Sequence, residues 1–386
     1  MRRTTAAVLM LSGLFLVILP LVAEERASKP ESAPASPKLE GEAASEGGWD
    51  KEAAAKHLDA RMMWWSTWPT AARDHGTFCV SCHTALPYAF ARPALRMSLH
   101  QIVPSAGETK LVENVVKRVR QWNEVAPFYP DQKTGLPKTS ESRGTEAILN
   151  AAVLVAQDAH HGPLSDASRT ALANLWALQM KVGDLAGAWA WLNFKLQPWE
   201  NSDSSYYGAT IAALTVGSAP GGYASSPEIN EHVTLLRGYL QKQFEKQHTF
   251  NHLMLLWAST KLADVVTAEQ RDQIVQDVLG KQQADGGWKM ASLGPWQRAD
   301  GTPLDTESDG YATGLVTFVL QQALAGSSMP PAVQKGRQWL MDHQDKQTGR
   351  WLATSLNKQR DPESDAGQFM NDAATAYAVL ALTGTY

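Results

Sequence analysis

Lys335-Gly336-Arg337-Gln338-Trp339-Leu340, followed by Gln344, Gly349 and Trp351, is the stretch on which the reading of the fold turns. It closes a charged, amphipathic segment with a glutamine, then turns at a glycine and ends on a large flat ring. Partial copies occur upstream. Gly280–Gln283 leads into Asp285-Gly286-Gly287-Trp288, and Trp176 with Gln179 leads into Gly187 and Trp189. Arg237-Gly238-Tyr239-Leu240 keeps only the first half. Self-similar units spaced at roughly 45 to 65 residues are the mark of stacked helical hairpins.

The segments around these copies are of two kinds. Leu111–Trp122, Asp166–Met180, Pro227–Phe244, Ala268–Gln283 and Ala332–His343 carry apolar residues at three and four spacing with charged residues between. The other kind is Ala-rich and apolar nearly throughout; its members open around Gly144, Tyr207, Gly310 and Ala373. A segment near Phe250-Asn251-His252 fits this set less well. Long alternating strand patterns are missing. Apolar helices can form an inner layer, and amphipathic ones an outer layer with one wet face. The expectation is an all-α fold: an α/α toroid of about five to six hairpins, with an open solenoid as the rival.

The Gln–Gly–Trp units resemble the QW repeat of the squalene–hopene cyclase and prenyltransferase superfamily. That resemblance covers residues 109–386. It implies a toroid in which each Gln caps a helix end and each Trp stacks against it, tying neighbouring hairpins together. It does not carry the family's chemistry across. The nearest stretch to the cyclases' D-x-D-D motif is Asp305-Thr306-Glu307-Ser308-Asp309, which departs at its third and fourth positions. The prenyltransferases' zinc site needs a cysteine, and the chain has none beyond Cys82.

A second feature lies upstream. Cys79-Val80-Ser81-Cys82-His83 has the C-x-x-C-H spacing of c-type haem attachment, and it uses both cysteines of the chain. In such a site the thiols bond the porphyrin and the adjacent His ligates the iron. Residues 49–108 then form a short haem c segment preceding the toroid, with His83 as proximal ligand. Met97 is the leading single candidate for a sixth ligand; His57, Met62, Met63, His75 and His100 are others, and an open sixth position is the alternative. Two rival chemistries use the same residues. His75, Cys79, Cys82 and His83 could share a zinc ion, although adjacent residues are awkward on one metal. The C-x-x-C pair could instead be a redox disulfide, although no thioredoxin-like βαβ pattern surrounds it.

Residues 1–23 read as an export signal: Arg2 and Arg3, an apolar run from Ala6 to Val22, then a small-residue site. The run is also long enough to stay as an uncleaved membrane anchor, the one membrane contact expected. Haem c is attached on the exported side of bacterial membranes, so signal and motif agree on a periplasmic or exported protein. Residues 24–48, rich in Ala, Ser, Pro and Glu, read as a disordered linker. A net charge of −4 with scattered basic residues gives no stripe for nucleic acid.

Acids, tyrosines and a histidine near the starts of the apolar helices are candidates for a substrate pocket: Glu146, Asp203, Tyr207, His252, Asp309, Tyr311 and Asp372. Helix capping is the competing role for the acids. The functional expectation is electron transfer or redox chemistry, with a partner protein or a small-molecule substrate. One alternative is a ligand-binding toroid with structural or sensory haem. The other is a diverged terpenoid cyclase or lyase.

Overall fold

A computed structural model describes residues 48–135, 137–160 and 162–384. The export signal read at 1–23 and the linker at 24–48 lie outside these residues, Gly48 excepted. Among the described residues no helix is long and apolar enough to cross a membrane.

The fold is all-α. Thirteen helices are described: α1 (Lys51–Thr67), α2 (Ala85–Ser98), α3 (Ala106–Arg120), α4 (Asp131–Thr134), α5 (Thr139–Ala159), α6 (Asp166–Ala177), α7 (Ser204–Ser218), α8 (Asn230–Gln243), α9 (Thr249–Ser259), α10 (Ala268–Leu279), α11 (Gly310–Ala323), α12 (Pro331–Asp342) and α13 (Phe369–Thr383). The only sheet among them is a hairpin of two-residue strands, β1 (Ala72–Arg73) and β2 (Thr77–Phe78), with His75 in the left-handed region at its turn.

The two kinds of segment separate as their sequences require. Every residue of α13 from Met370 to Leu382 is buried, whereas α10 buries only Ile274, Val275 and Val278. The apolar helices touch in a cycle: α2 to α5, α7, α9, α11, α13 and back to α2. Each amphipathic helix packs outside a member of that cycle: α6 on α5, α8 on α7, α10 on α9, α12 on α11. The segment at Phe250, which fits the pattern poorly in sequence, is a full member of the cycle as α9. The described residues form one compact unit, in which α1 and α2 supply a helical pair of their own.

The Gln–Gly–Trp copies share one hydrogen-bond pattern. The indole N–H of Trp189, Trp288 and Trp351 donates to the carbonyl of Leu175, Val278 and Leu340 respectively. The amide of Gln179, Gln282 and Gln344 donates to the carbonyl of Gly187, Gly286 and Gly349. The same amides donate again to the next outer helix: to His232 on α8, Ala332 on α12 and Asp50 at the cap of α1. In the second copy Gln282, rather than its neighbour Gln283, does this. In the half-copy Tyr206 takes the indole's part, its hydroxyl donating to the carbonyl of Leu240.

The third copy reaches across 294 positions of sequence, because Asp50 also donates its N–H to Gln344 Oε1 at 2.6 Å. Gly349 has φ +75°, and a Cβ there would lie 2.2 Å from the carbonyl carbon of Ala53. A side chain is therefore excluded where α1 meets the end of the chain's last repeat.

Candidate cofactor site

Several contacts fix the Cys79–His83 segment at the N-terminal end of α2. Asn114 holds Phe78 from both sides, accepting its N–H at 2.8 Å and donating to its carbonyl at 3.0 Å. The Trp65 indole donates to the carbonyl of Cys79 at 2.7 Å. Ser81 Oγ accepts the N–H groups of Thr84 and Ala85 and so caps the helix start.

Cys79, Cys82 and His83 line one cavity of about 220 Å³. Its walls come from the end of α1 (Trp65, Trp68), the start of α13 (Phe369, Met370) and the loop before α7 (Gln197, Trp199, Glu200). Exposed Thr70 and Leu196 mark its rim. His83 stacks on Phe369, with ring centroids 3.9 Å apart, and meets Trp65 edge-on at 5.0 Å. Trp64, Trp65 and Trp68 all pack against Phe369, which joins the aromatics at the end of α1 to α13.

The two cysteines are free. Burial pushes the Cys79 thiol up to about 11 and raises Cys82 as well, so both are neutral thiols near pH 7. Burial, with the Arg61 charge nearby, pushes His83 down to about 3, leaving a neutral imidazole. Its Nδ1 lies 2.8 Å from Thr84 Oγ1. Its Nε2 makes no hydrogen bond among the described residues. Thr84 Oγ1 donates to Asp372 Oδ2 at 2.6 Å. Asp372 is held in turn by Arg61, Nε to Oδ1 at 2.6 Å and Nη2 to Oδ2 at 3.1 Å. Burial raises the Asp372 carboxyl, and Arg61 works against that rise.

Glu200 faces the same cavity with no hydrogen bond to its carboxylate among the described residues. Burial pushes it up to about 7, against the pull of Arg73 and Lys138. The neighbouring Gln197 Oε1 is buried without a partner.

Of the sequence-based pocket candidates, none lines this cavity. Glu146 is fully buried in an ion pair with Arg118 at 2.6 Å. Asp203 pairs with His248 at 3.0 Å. Tyr207 is packed between Trp191 and Phe250. His252 stacks on Phe244 and borders a separate groove of about 560 Å³. Asp309 is the N-cap of α11, accepting from Ala312 and Met290, and burial raises it to about 6. Tyr311 stacks on Trp199, and Asp372 bonds Thr84, so these two stand directly behind the wall.

The expected sixth ligand is also displaced. Met97 is 46% exposed near the far end of α2. It lies fourteen positions beyond His83 along a largely helical path, about 20 Å at 1.5 Å per residue. Among Met97, His57, Met62, Met63, His75 and His100, none lines the cavity; Met370 does. For the zinc arrangement, His75 is turned to Asp74 on the exposed hairpin. Among the described residues no three His, Cys, Asp or Glu side chains are grouped to hold a metal ion.

No family model matches the sequence, and no curated protein does. Among solved structures, a polysaccharide lyase 12% identical aligns over 88% of this chain and 90% of that chain, with a TM-score of 0.34. That likeness is too slight to inform fold or activity.

Proposed function

We propose that this chain is an exported c-type haem protein whose helical cycle is an α/α toroid, acting in electron transfer or redox chemistry. The observation that carries this reading is the convergence of two neutral buried thiols and an imidazole with a bare Nε2 on one aromatic-walled cavity. The donor set fits the group. Neutral thiols suit thioether formation, and a neutral imidazole is the form that ligates iron. A haem held there supplies one-electron iron chemistry. At about 220 Å³ the cavity is below the roughly 300–1,000 Å³ of drug-sized sites, so a macrocycle is not fully enclosed by protein.

The chain's own residues have distinct work. Cys79 and Cys82 anchor the group, and His83 presents Nε2 to it. Trp65, Trp68, Trp199 and Phe369 keep water from its buried side, which strengthens the local electrostatics. A redox partner protein or a small-molecule substrate has access at the Thr70–Leu196 rim.

The test is haem-stained denaturing electrophoresis of protein made in a haem-c-maturing host. Wild-type bands should stain, and Cys79→Ser with Cys82→Ser should not. Unstained wild-type protein would reject the reading.

A further inference from the structure

The motif supplies ligands; what aims the histidine is a separate question. Neutral imidazole carries one N–H, on either of two nitrogens. The hydroxyl of Thr84 has one proton and sends it to Asp372 Oδ2 at 2.6 Å. Both oxygens of Asp372 also accept from Arg61, so the carboxylate acts as acceptor throughout. Thr84 Oγ1 can therefore only accept from His83. The proton must sit on Nδ1, and the lone pair on Nε2 stays bare.

We infer that Asp372, acting through Thr84, is a positioning residue for His83, selecting the tautomer and ring orientation that offer Nε2 to the cavity. Arg61, 8% exposed and stacked 4.1 Å over the Trp64 ring, fixes Asp372 in turn. The chain of four groups joins three separate elements: the motif, α1 and α13. It also does more than orient. Electron donation from His83 to a bound metal leaves positive charge on the ring, and a hydrogen-bonded path to a carboxylate stabilises that charge. Removing the path makes His83 a poorer donor and favours the reduced metal. This last consequence rests on the haem reading; the tautomer does not.

The experiment has two arms. In haem-free protein, long-range ¹⁵N–¹H correlation spectra should show His83 protonated at Nδ1. Protonation at Nε2 would overturn the proposal whatever cofactor the site takes. In haem-loaded protein, Thr84→Val should raise the reduction potential and lower the iron–imidazole stretching frequency, and Thr84→Ser should restore both. An unchanged potential and stretch in a folded Thr84→Val variant would also overturn it. If Thr84→Val does not fold, the wild-type tautomer and the behaviour of Thr84→Ser still decide. Protein that takes up no haem rejects the proposed function and leaves the first arm standing.

Discussion

Gly349→Ala is the sharpest probe of how the two ends of the folded chain are joined. Gly349 has φ +75°, and an alanine there costs roughly 1–2 kcal/mol from the left-handed backbone alone. Gly326, at φ +81°, has the same strain but nothing within 4 Å of an added methyl, so Gly326→Ala isolates that cost. Less freedom in the unfolded chain returns roughly 0.4–1 kcal/mol in both variants. The difference is spatial. The added carbon of Gly349→Ala would stand 2.2 Å from Ala53 C and 2.3 Å from Ala53 O, both backbone atoms of α1. Relief requires α1 to move, and that breaks the two hydrogen bonds between Gln344 and Asp50 at 2.6 and 2.8 Å. At about 1 kcal/mol each, with some lost packing of Trp49 on Trp351, Gly349→Ala should cost about 2–3 kcal/mol more than Gly326→Ala. Urea unfolding followed by tryptophan fluorescence measures the difference. Equal midpoints and slopes for the two variants would refute the tie between α1 and the Gln344–Gly349 turn.

Other outcomes follow from burial and charge. Trp351, fully buried, should cost about 3–5 kcal/mol on replacement by alanine, read from the same urea curves. Glu200 is raised from 4.5 to about 7, so the folded state holds its proton more tightly than the unfolded chain. Its contribution is full below pH 4.5 and is lost as pH climbs through 7. Across that range Glu200→Gln should flatten the stability profile by about 3 kcal/mol. With Cys79 pushed up to about 11 from 9.0, its thiolate fraction falls about 100-fold, so iodoacetamide should label the native haem-free protein far more slowly than the unfolded chain. Met97→Leu should leave the haem spectrum unchanged, because Met97 is exposed and outside the cavity.

The outer helices were legible in sequence because one charged face and one apolar stripe leave a strong local period, as in α10 and α12. The inner helices α5, α7, α11 and α13 were legible from their Ala-rich runs. α9 was less so: Thr249–Ser259 is short, and its N-terminal turn has no acidic residue to announce it. The docking of α1 on the end of the last Gln–Gly–Trp copy was hidden for another reason. It depends on Asp50 meeting Gln344 and on Gly349 meeting Ala53, pairings that leave no local signature. The motif residues Cys79, Cys82 and His83 were found by spacing alone. The rest of the cavity was not, because Gln197, Trp199 and Glu200 sit on an irregular loop with no periodic signal. The acids near the inner helices' N-terminal halves have mixed surroundings. Asp309 caps α11 and borders a cavity of about 230 Å³, whereas Glu146, two turns into α5, and Asp203 are consumed in ion pairs. Asp372 alone among those acids connects to the motif, and its partner Thr84 follows His83 directly in sequence.

The most direct test of the haem reading is the intact mass of the denatured protein after expression in a haem-c-maturing host. One added haem per chain is expected, retained through denaturation and lost when Cys79 and Cys82 are both serine. An unmodified polypeptide mass from that host, with stoichiometric zinc in the native preparation, would contradict it.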